Sequence, residues 1–168
     1  MDLWISAAEN FFRFQQAGVA HLTVPLQLDA LVLPFAEGFF DAVVSIDAYH
    51  YFGNNTYFKD VLKPVLKPGG MVGISFPGMK SEIHENVPEE MKPFWEPEAL
   101  EMWHSIDWWR PKFEPYLHPF QIAEMDCFEQ AWQEWLSCDN PYAVEDRQMI
   151  ETDHGRFMNL IKLTGTVH

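Results

Sequence analysis

One histidine of this chain stands between two tyrosines, in a position where it could take part in proton transfer. Tyr49, His50 and Tyr51 follow an apolar, β-branched stretch and the acid Asp47. A histidine titrates near neutral pH and can remove a proton from a reacting group. A histidine in this setting can equally be a packed, hydrogen-bonded side chain. Both interpretations stay open for His50 and for Tyr49, which are the candidate catalytic residues.

Most of the tryptophans lie close together in the second half of the chain. Six of the seven fall between residues 95 and 135: Trp95, Trp103, Trp108, Trp109, Trp132 and Trp135. With the acidic side chains around residues 95–110 they would suit an amine or another cation, because a cation is attracted to an aromatic face. The alternative is that they pack in the core, or between a lid and the core.

The net charge argues against one large class of partner. The 168 residues carry a net charge of −14, and residues 81–168 hold 18 acidic and 6 basic side chains. Such a surface repels phosphates, so no nucleic-acid partner is expected. A small molecule is the expected binding partner, and a solubilising surface is the simpler explanation of the charge.

Neither a membrane segment nor a metal-binding motif is evident. The apolar runs are shorter than the roughly 18 residues that cross a bilayer, and the N-terminus has no signal-peptide pattern. The two cysteines, Cys127 and Cys138, form no Cys-x-x-Cys pair, and no His-Glu-x-x-His motif occurs. We therefore expect no membrane contact, no metal, and two reduced thiols in a cytoplasmic protein.

The length predicts a single domain, because domains usually hold about 100–200 residues. Met1–Ser6 predicts the end of a strand, and we expect that a further segment originally preceded it. A helix is predicted over Ala7–Ala17, since Ser6 and Glu9 have capping-box spacing and Gly18 is a C-terminal stop.

Strands and helices then alternate along the chain. The first half predicts strands over His21–Leu28, Phe40–Ile46 and Met71–Phe76, a helix from Asn54 or Asn55 to about Leu66, and a turn at 67–70. The second half predicts helices over Glu98–Trp109, Phe128–Leu136 and Tyr142–His154, and strands over Tyr116–Met125 and Phe157–Val167. The alternation in the first half predicts parallel strands joined by right-handed crossovers.

Two stretches, one helix apart, carry a family resemblance. The first is Leu33-Pro34-Phe35-Ala36-Glu37-Gly38-Phe39-Phe40-Asp41-Ala42-Val43-Val44-Ser45, and the second is Leu66-Lys67-Pro68-Gly69-Gly70. In this order and at this spacing the chain resembles the class I S-adenosylmethionine-dependent methyltransferases, in particular their methyltransferase type 11-like members. The first stretch is similar to the segment leading into the family's fourth strand, and the second to the turn entering its fifth strand.

The resemblance implies an α/β fold with a Rossmann-like methyltransferase sheet. That sheet would be mostly parallel with an antiparallel final strand, and it would be N-terminally incomplete. One domain would span residues 1–168. Residues 1–78 would form part of the cofactor-binding core, 79–116 a helical, tryptophan-rich insertion that serves as a lid over the acceptor, and 117–168 the C-terminal strands and helices.

The resemblance also implies residues for the cofactor S-adenosylmethionine at the carboxyl ends of the strands. Asp2 would accept hydrogen bonds from the ribose hydroxyls, and Leu3 and Trp4 would pack on the adenine. The alternatives are that Asp2 is a loosely held terminal residue and that Trp4 belongs to the core.

Further along the chain, Asp29 would meet the adenine amino group, with Ala30 and Leu31 beside it. Its alternative is a turn residue that binds its own backbone. Asp47 would face the methionine part of the cofactor or else cap a loop. His50 would be the base for a small-molecule acceptor, whose nucleophilic atom attacks the sulfonium methyl in line.

The chain departs from the family in one respect, since it contains no Gly-x-Gly-x-Gly loop. In the family that loop lets the backbone approach the cofactor. The first strand lies at the centre of the family's sheet, so its absence would expose strand edges and favour self-association. The chain would then be part of a longer enzyme, depend on a partner or a second copy, or have lost methyl transfer.

Two other functions compete with methyl transfer. A catalytically inactive methyltransferase-like module that binds a partner protein would explain both the missing loop and the acidic, tryptophan-rich second half. A dehydrogenase-type Rossmann domain agrees less well with the sequence, because its glycine fingerprint is also absent and the turn at 67–70 has no place in it.

Overall fold

The computed structural model describes residues 1–52 and 56–168, which form a four-stranded sheet and its surrounding helices. The strands are β1 (Phe40–Ile46), β2 (Leu66–Met79), β3 (Leu117–Glu124) and β4 (Met158–Val167). The helices are α1 (Ala7–Gln16), α2 (Pro97–Leu100), α3 (Ile106–Phe113), α4 (Phe128–Ser137) and α5 (Pro141–Asp153). Among the described residues, no helix combines the length and apolar composition that a membrane crossing requires.

Three of the four strands run in the same direction. The order across the sheet is β1-β2-β4-β3; β1 is parallel to β2, and β4 is antiparallel to both of its neighbours. This arrangement confirms the predicted mostly parallel sheet with an antiparallel final strand. The β-branched run of β1 pairs residue by residue with β2 from Ala42–Met71 to Ile46–Ser75.

The predicted turn at 67–70 is built into β2 as a bulge. Phe40 pairs with Leu66 and Ala42 with Met71, so four residues of β2 lie opposite one residue of β1. Gly69 has a φ of 78°, a conformation that glycine adopts without a steric penalty. Residues 67–70 therefore form a turn-like bulge within β2, and the pairing with β1 resumes at Met71.

In the described part of the chain, β1 is an edge strand that pairs with β2 alone. Val44 and Ile46 of this strand are 72% and 68% exposed. An unpaired strand edge presents free backbone donors and acceptors to another strand. The exposed apolar side chains on β1 add surface that such a neighbour would cover.

The strand predicted over His21–Leu28 is wrong. Ala20–Leu22 is a short 3₁₀ turn, and Gln27 alone forms a bridge, parallel to Asp2. Pro25 has no N–H for a ladder, which limits pairing to isolated positions. The predicted pattern therefore marks a short parallel contact rather than a strand.

Helix α1 begins as predicted, because the Ser6 hydroxyl accepts a hydrogen bond from the Glu9 N–H at 3.2 Å. The Glu9 carboxylate turns to Arg13 instead of completing the capping box. No residue of α1 is buried, so its apolar side chains remain on the surface.

The helix predicted up to about Leu66 differs from the observed structure. Its proposed caps, Asn54 and Asn55, lie outside the described residues. The described part is a π-helical turn over Phe58–Leu62 followed by a 3₁₀ turn over Lys63–Val65. Pro64 within the second turn explains why a regular helix does not continue.

The single helix predicted over Glu98–Trp109 is wrong, because α2 and α3 are separate. Met79, at the end of β2, donates its N–H to the His104 carbonyl at 3.0 Å and forms a bridge with Ser105. Ser105 then caps α3, and its hydroxyl accepts from the Trp108 N–H at 3.4 Å. A contact with the sheet, distant in sequence, thus interrupts the helical pattern.

Two buried clusters hold the fold together. The larger covers one face of the sheet, and we call its centre the aromatic cluster: Tyr49, Phe76, Trp109 and Phe113. The smaller lies at the end of β2 and includes Met79, Met91, Trp95, Leu100, Met149 and Met158. Trp95 and Trp109 are therefore core residues, which agrees with the alternative that the tryptophans pack in the core.

The aromatic cluster predicts a large effect of truncation. Phe113 is fully buried, so Phe113→Ala should lower the free energy of unfolding by about 3–5 kcal/mol. Phe12 on α1 is exposed, and Phe12→Ala is the matched control, with an expected change within about 0.5 kcal/mol. Urea unfolding of both variants measures the difference, and equal losses would contradict this description of the core.

Candidate functional site

The end of β1 leads directly into the predicted catalytic residues. Asp47 follows the strand with a φ of 51°, and its N–H donates to the Ser75 carbonyl at 2.8 Å. The chain then enters a 3₁₀ turn over Tyr49–Tyr51. Parallel pairing to β2 thus fixes where β1 ends. The tight turn that follows places the His50 ring in the interior, against Phe76.

His50 is 3% exposed, and its ring lies against Tyr51 and Phe76 at centroid distances of 4.0 and 6.5 Å. Among the described residues, its Nδ1 has no hydrogen-bond partner. Burial lowers the pKa of His50 to about 4. The ring is therefore neutral at neutral pH and can accept a hydrogen bond, but it is a weak base.

Tyr49 packs with three other rings of the aromatic cluster and is 1% exposed. Burial raises the pKa of its phenol far above the ordinary value, so the group stays protonated. Its hydroxyl finds no partner within the described chain. The ring is a packed side chain, as one of the two interpretations stated, and the catalytic role of the hydroxyl stays a prediction.

The carboxylate of Asp47 lies near other ionisable groups at the end of β1. Partial desolvation and, second, the Asp146 carboxylate of α5 raise the pKa of Asp47. Asp146 itself accepts a hydrogen bond from the Trp135 indole at 3.0 Å. Desolvation and, after it, the charges of Asp47 and Asp146 also raise the pKa of Tyr51, whose side chain is exposed. The sequence did not predict that α5 contributes to this site, because Asp146 lies far from β1 along the chain and no local pattern relates the two.

The two predicted acids of the N-terminal region lie on neighbouring segments. The backbone of Asp2 forms both contacts. Its N–H donates to the Leu26 carbonyl at 3.0 Å, and its carbonyl accepts from the Leu28 N–H at 2.9 Å. This contact places Asp29 on the segment beside Asp2. The carboxylate of Asp2 accepts from the Trp4 and Ile5 N–H groups through one oxygen, Oδ1.

The hydrogen bonds from the Ile5 and Trp4 N–H groups lower the pKa of the Asp2 carboxyl, and the bond from Ile5 has the larger effect. Its side chain is therefore an ionised, ordered acceptor. The residues that follow it expose apolar surface, since Leu3 is 46% and Trp4 88% exposed. The alternative that Trp4 is a core residue is wrong.

Asp29 begins a turn and accepts from the Leu31 N–H at 2.9 Å, as its alternative interpretation states. The Ala30 carbonyl accepts a hydrogen bond from the Tyr57 hydroxyl at 2.7 Å. The Tyr57 ring packs against Tyr49 with a centroid distance of 5.8 Å. The Asp29 turn is thereby joined to the carboxyl end of β1.

Two cavities of about 190 and 510 Å³ are lined by none of the predicted site residues. Thr56, Lys59, Pro111, Lys112 and Tyr116 line the smaller one. The larger is lined by Glu37, Gly38, Lys63, Pro64, Leu66, Pro68, Val167 and His168. The larger lies where β1 and β2 begin, at the opposite end from the predicted cofactor residues. Neither cavity is a candidate for the cofactor site.

Sequence reasoning also missed a group of three chemically active side chains. Glu82, His84 and His104 present oxygen and nitrogen atoms within 4.8 Å of one another. The last two are separated by twenty positions, so no short motif could have indicated the group.

The buried His50 predicts a pH dependence of stability. The unfolded chain binds a proton there below its ordinary pKa of 6.5, whereas the folded chain does so only below about 4. Between these values the unfolded state binds more protons, so stability falls as the pH falls. From about pH 7 to about pH 5 the loss attributable to His50 should be about 2 kcal/mol.

Urea unfolding at both pH values, compared between the original chain and His50→Leu, measures this loss. The variant should lose about 2 kcal/mol less than the original chain. His21→Leu changes an exposed histidine and should behave like the original chain. An identical pH dependence in His50→Leu and the original chain would rule out a depressed pKa at this position.

The comparisons with known proteins agree on the fold. Residues 5–74 match the family model described as "Methyltransferase domain". No curated protein matches the chain. Among solved structures, a candidate sarcosine dimethylglycine methyltransferase from Galdieria sulphuraria is similar, with a TM-score of 0.72 and 16% identity. The alignment covers 95% of this chain and 65% of that one.

Geranyl diphosphate C-methyltransferase from Streptomyces coelicolor A3(2), solved with Mg²⁺, geranyl diphosphate and S-adenosylhomocysteine, is also similar. Its TM-score is 0.69 at 13% identity, and the alignment covers 96% of this chain and 59% of that one. The cyclase SpnF has a TM-score of 0.64 at 14% identity, with 96% and 62% coverage.

This chain therefore spans less than two thirds of the length of each of these three structures. At such low identity the structural likeness shows the fold. The match over residues 5–74 to a methyltransferase domain and these structures agree with the resemblance to the class I S-adenosylmethionine-dependent methyltransferases.

Proposed function

We propose that this chain transfers a methyl group from S-adenosylmethionine to a small-molecule acceptor, as part of a longer enzyme. One observation carries the proposal: the Asp2 and Asp29 segments are paired, and Tyr57 links them to the turn that carries His50, since its hydroxyl donates to the Ala30 carbonyl and its ring packs on Tyr49. Ligands of open α/β sheets bind at the carboxyl ends of the strands.

The residues present fit the adenosine part of this cofactor. Asp2 uses Oδ1 for backbone groups, and Oδ2 would accept from the ribose hydroxyls. Leu3 and Trp4, which follow Asp2, and Leu31, which follows Asp29, expose apolar surface that an adenine ring would cover. Asp29 would bind the adenine amino group.

At the other end of the site, Asp47 would face the methionine part of the cofactor. Bound S-adenosylmethionine supplies a methyl group that is activated by a positively charged sulfur. The chain's own contribution is to hold the acceptor, because orientation supplies much of the rate in such displacements. The unpaired Tyr49 hydroxyl and His50 Nδ1 are the groups that would bind the acceptor's polar atoms.

The low pKa of His50 narrows its role. A base with a pKa of about 4 takes up a proton at neutral pH only at a free-energy cost. We therefore assign His50 to accepting a hydrogen bond from the acceptor's O–H or N–H, which orients the nucleophilic atom. Trp109, which packs on Tyr49 at 5.9 Å, supports the proposal that residues 79–116 cover this site.

Three further features belong to the proposal. The open edge of β1 supports association with a second copy or with a further strand of a longer chain. The net charge of −14 supports a partner other than nucleic acid. Cys127 and Cys138 are exposed and unpaired, which supports a reducing, cytoplasmic location.

The alternative is an inactive methyltransferase-like module that binds a partner protein. The absence of the glycine-rich loop from the sequence and the apolar, unpaired edge of β1 favour it. Cofactor binding distinguishes the two, since an inactive module does not require the cofactor.

Binding of S-adenosylmethionine to this chain should raise its stability. At a hundredfold excess over the dissociation constant the gain should be about 2.7 kcal/mol, seen as a thermal shift and checked by calorimetry. Asp2→Asn keeps an oxygen for the Trp4 and Ile5 N–H groups but removes the charge, so affinity should fall about tenfold or more.

Asp139→Asn is the matched control, because Asp139 is exposed and far from the predicted site in sequence. It should leave the affinity unchanged. A folded protein that shows no shift would point to a fragment of a longer enzyme or to the inactive module, and restoring an upstream strand and glycine-rich loop would distinguish the two. Equal affinities of the two variants would remove Asp2 from the site.

His50→Ala should lower the rate of methyl transfer with little change in cofactor affinity. Loss of a group that orients the nucleophilic atom should cost about a hundredfold in rate. Formation of S-adenosylhomocysteine with sarcosine as the probe acceptor measures the rate, and calorimetry measures the affinity. An unchanged rate would remove His50 from the mechanism.

A further inference from the structure

A histidine–carboxylate cluster lies where β2 leaves the sheet. The Met79–Ser105 bridge aligns residues 79–84 with the loop before α3. Glu82 and His84 come from the first segment and His104 from the second. Because this isolated bridge holds the two segments side by side at the end of β2, the fold itself brings these three side chains together.

The atoms of this cluster converge on a single carboxylate oxygen. Glu82 Oε2 lies 3.0 Å from His84 Nδ1 and 2.9 Å from His104 Nδ1. The second oxygen, Oε1, accepts the Ser105 N–H at 2.6 Å. That backbone bond fixes the carboxylate, so Oε2 stays directed at the two imidazoles.

The hydrogen bond at the far side of His84 decides which atom faces Glu82. His84 Nε2 is 2.9 Å from the Leu100 carbonyl, which can only accept, so Nε2 carries the proton. In a neutral imidazole the Nδ1 lone pair then points at a carboxylate oxygen. Two lone pairs at 3.0 Å repel each other unless a cation lies between them.

The same arrangement is typical of histidines that bind metals. A ligating histidine usually donates its other N–H to a backbone carbonyl or a carboxylate, which fixes the ring and makes it more basic. Leu100 supplies that carbonyl for His84. Stacking fixes His104, whose ring is parallel to Trp108 at 3.5 Å and lies 4.6 Å from the His84 ring.

Solvent reaches the cluster from one side. The side chains of Glu82, His84 and His104 are 39%, 27% and 12% exposed. An ion could therefore enter without unfolding the segment, and it would keep coordination positions for water or another ligand. Three protein ligands with an open position are typical of zinc sites that bind an exchangeable group.

We propose that Glu82, His84 and His104 bind one divalent transition-metal ion of the Zn²⁺ or Co²⁺ class, with at least one coordination position open. Two imidazoles and one carboxylate favour such ions over Mg²⁺ and Ca²⁺, which take oxygen ligands. The ion would fasten residues 82–84 to the start of α3. This proposal is independent of methyl transfer.

Calorimetric titration of the metal-free full chain with Zn²⁺ tests the site. Cys127 and Cys138 are exposed thiols that would also take zinc, so Cys127→Ser/Cys138→Ser is the background for all measurements. We expect one ion per chain, and a visible absorption spectrum of four-coordinate Co²⁺ in place of the weak spectrum of the hydrated ion.

His84→Gln and Glu82→Gln should each weaken the affinity at least about tenfold, because each removes a ligand. His118→Gln changes an exposed histidine outside the cluster and should have no effect. Thermal unfolding without metal shows whether each variant is folded, and the increase in midpoint on adding Zn²⁺ should be lost in both cluster variants.

Two results would overturn the proposal. One is equal Zn²⁺ affinity in the cluster variants and the His118→Gln control, which would mean adventitious binding elsewhere. The other is no saturable binding of Zn²⁺ or Co²⁺ to the folded chain, which would mean that a proton alone bridges Glu82 and His84.

Discussion

The aromatic cluster is the packing on which the rest of the described structure depends. Tyr49 comes from the turn after β1, Phe76 from β2, and Trp109 and Phe113 from α3. It joins three elements that lie far apart in the sequence, and aromatic rings bury more area than other side chains. The burial of His50, and with it the low pKa, is a direct consequence of this packing.

The open edge of β1 sets the second constraint. The N-terminal region is linked to the turn after β1 through Tyr57, which donates to the Ala30 carbonyl and packs on Tyr49, rather than by a ladder of the sheet. Asp2 and Asp29 are thus ordered by their own bridge, and Val44 and Ile46 stay exposed. A strand paired with β1 would therefore cover these side chains and satisfy the free edge of the strand.

Local signals explain which parts of the fold could be predicted from the sequence. The β-branched run of β1 and the Ser6 cap of α1 act within a few residues, and both appear in the structure as predicted. The region before Ser105 shows the opposite, since a bridge to Met79 overrides its helical pattern. The Glu82 cluster could not be found because its geometry comes from that same long-range contact.

Unpaired polar atoms in the aromatic cluster and in the neighbouring His50 support the proposal of a site at this place. Tyr49 Oη, His50 Nδ1 and Trp109 Nε1 are buried without partners among the described residues. Each such atom costs about 1–3 kcal/mol, and apolar side chains of similar shape would remove that cost. The sequence nevertheless places three of them around one turn. In the proposed function, a bound acceptor would supply the missing hydrogen bonds of Tyr49 and His50 and so offset this cost.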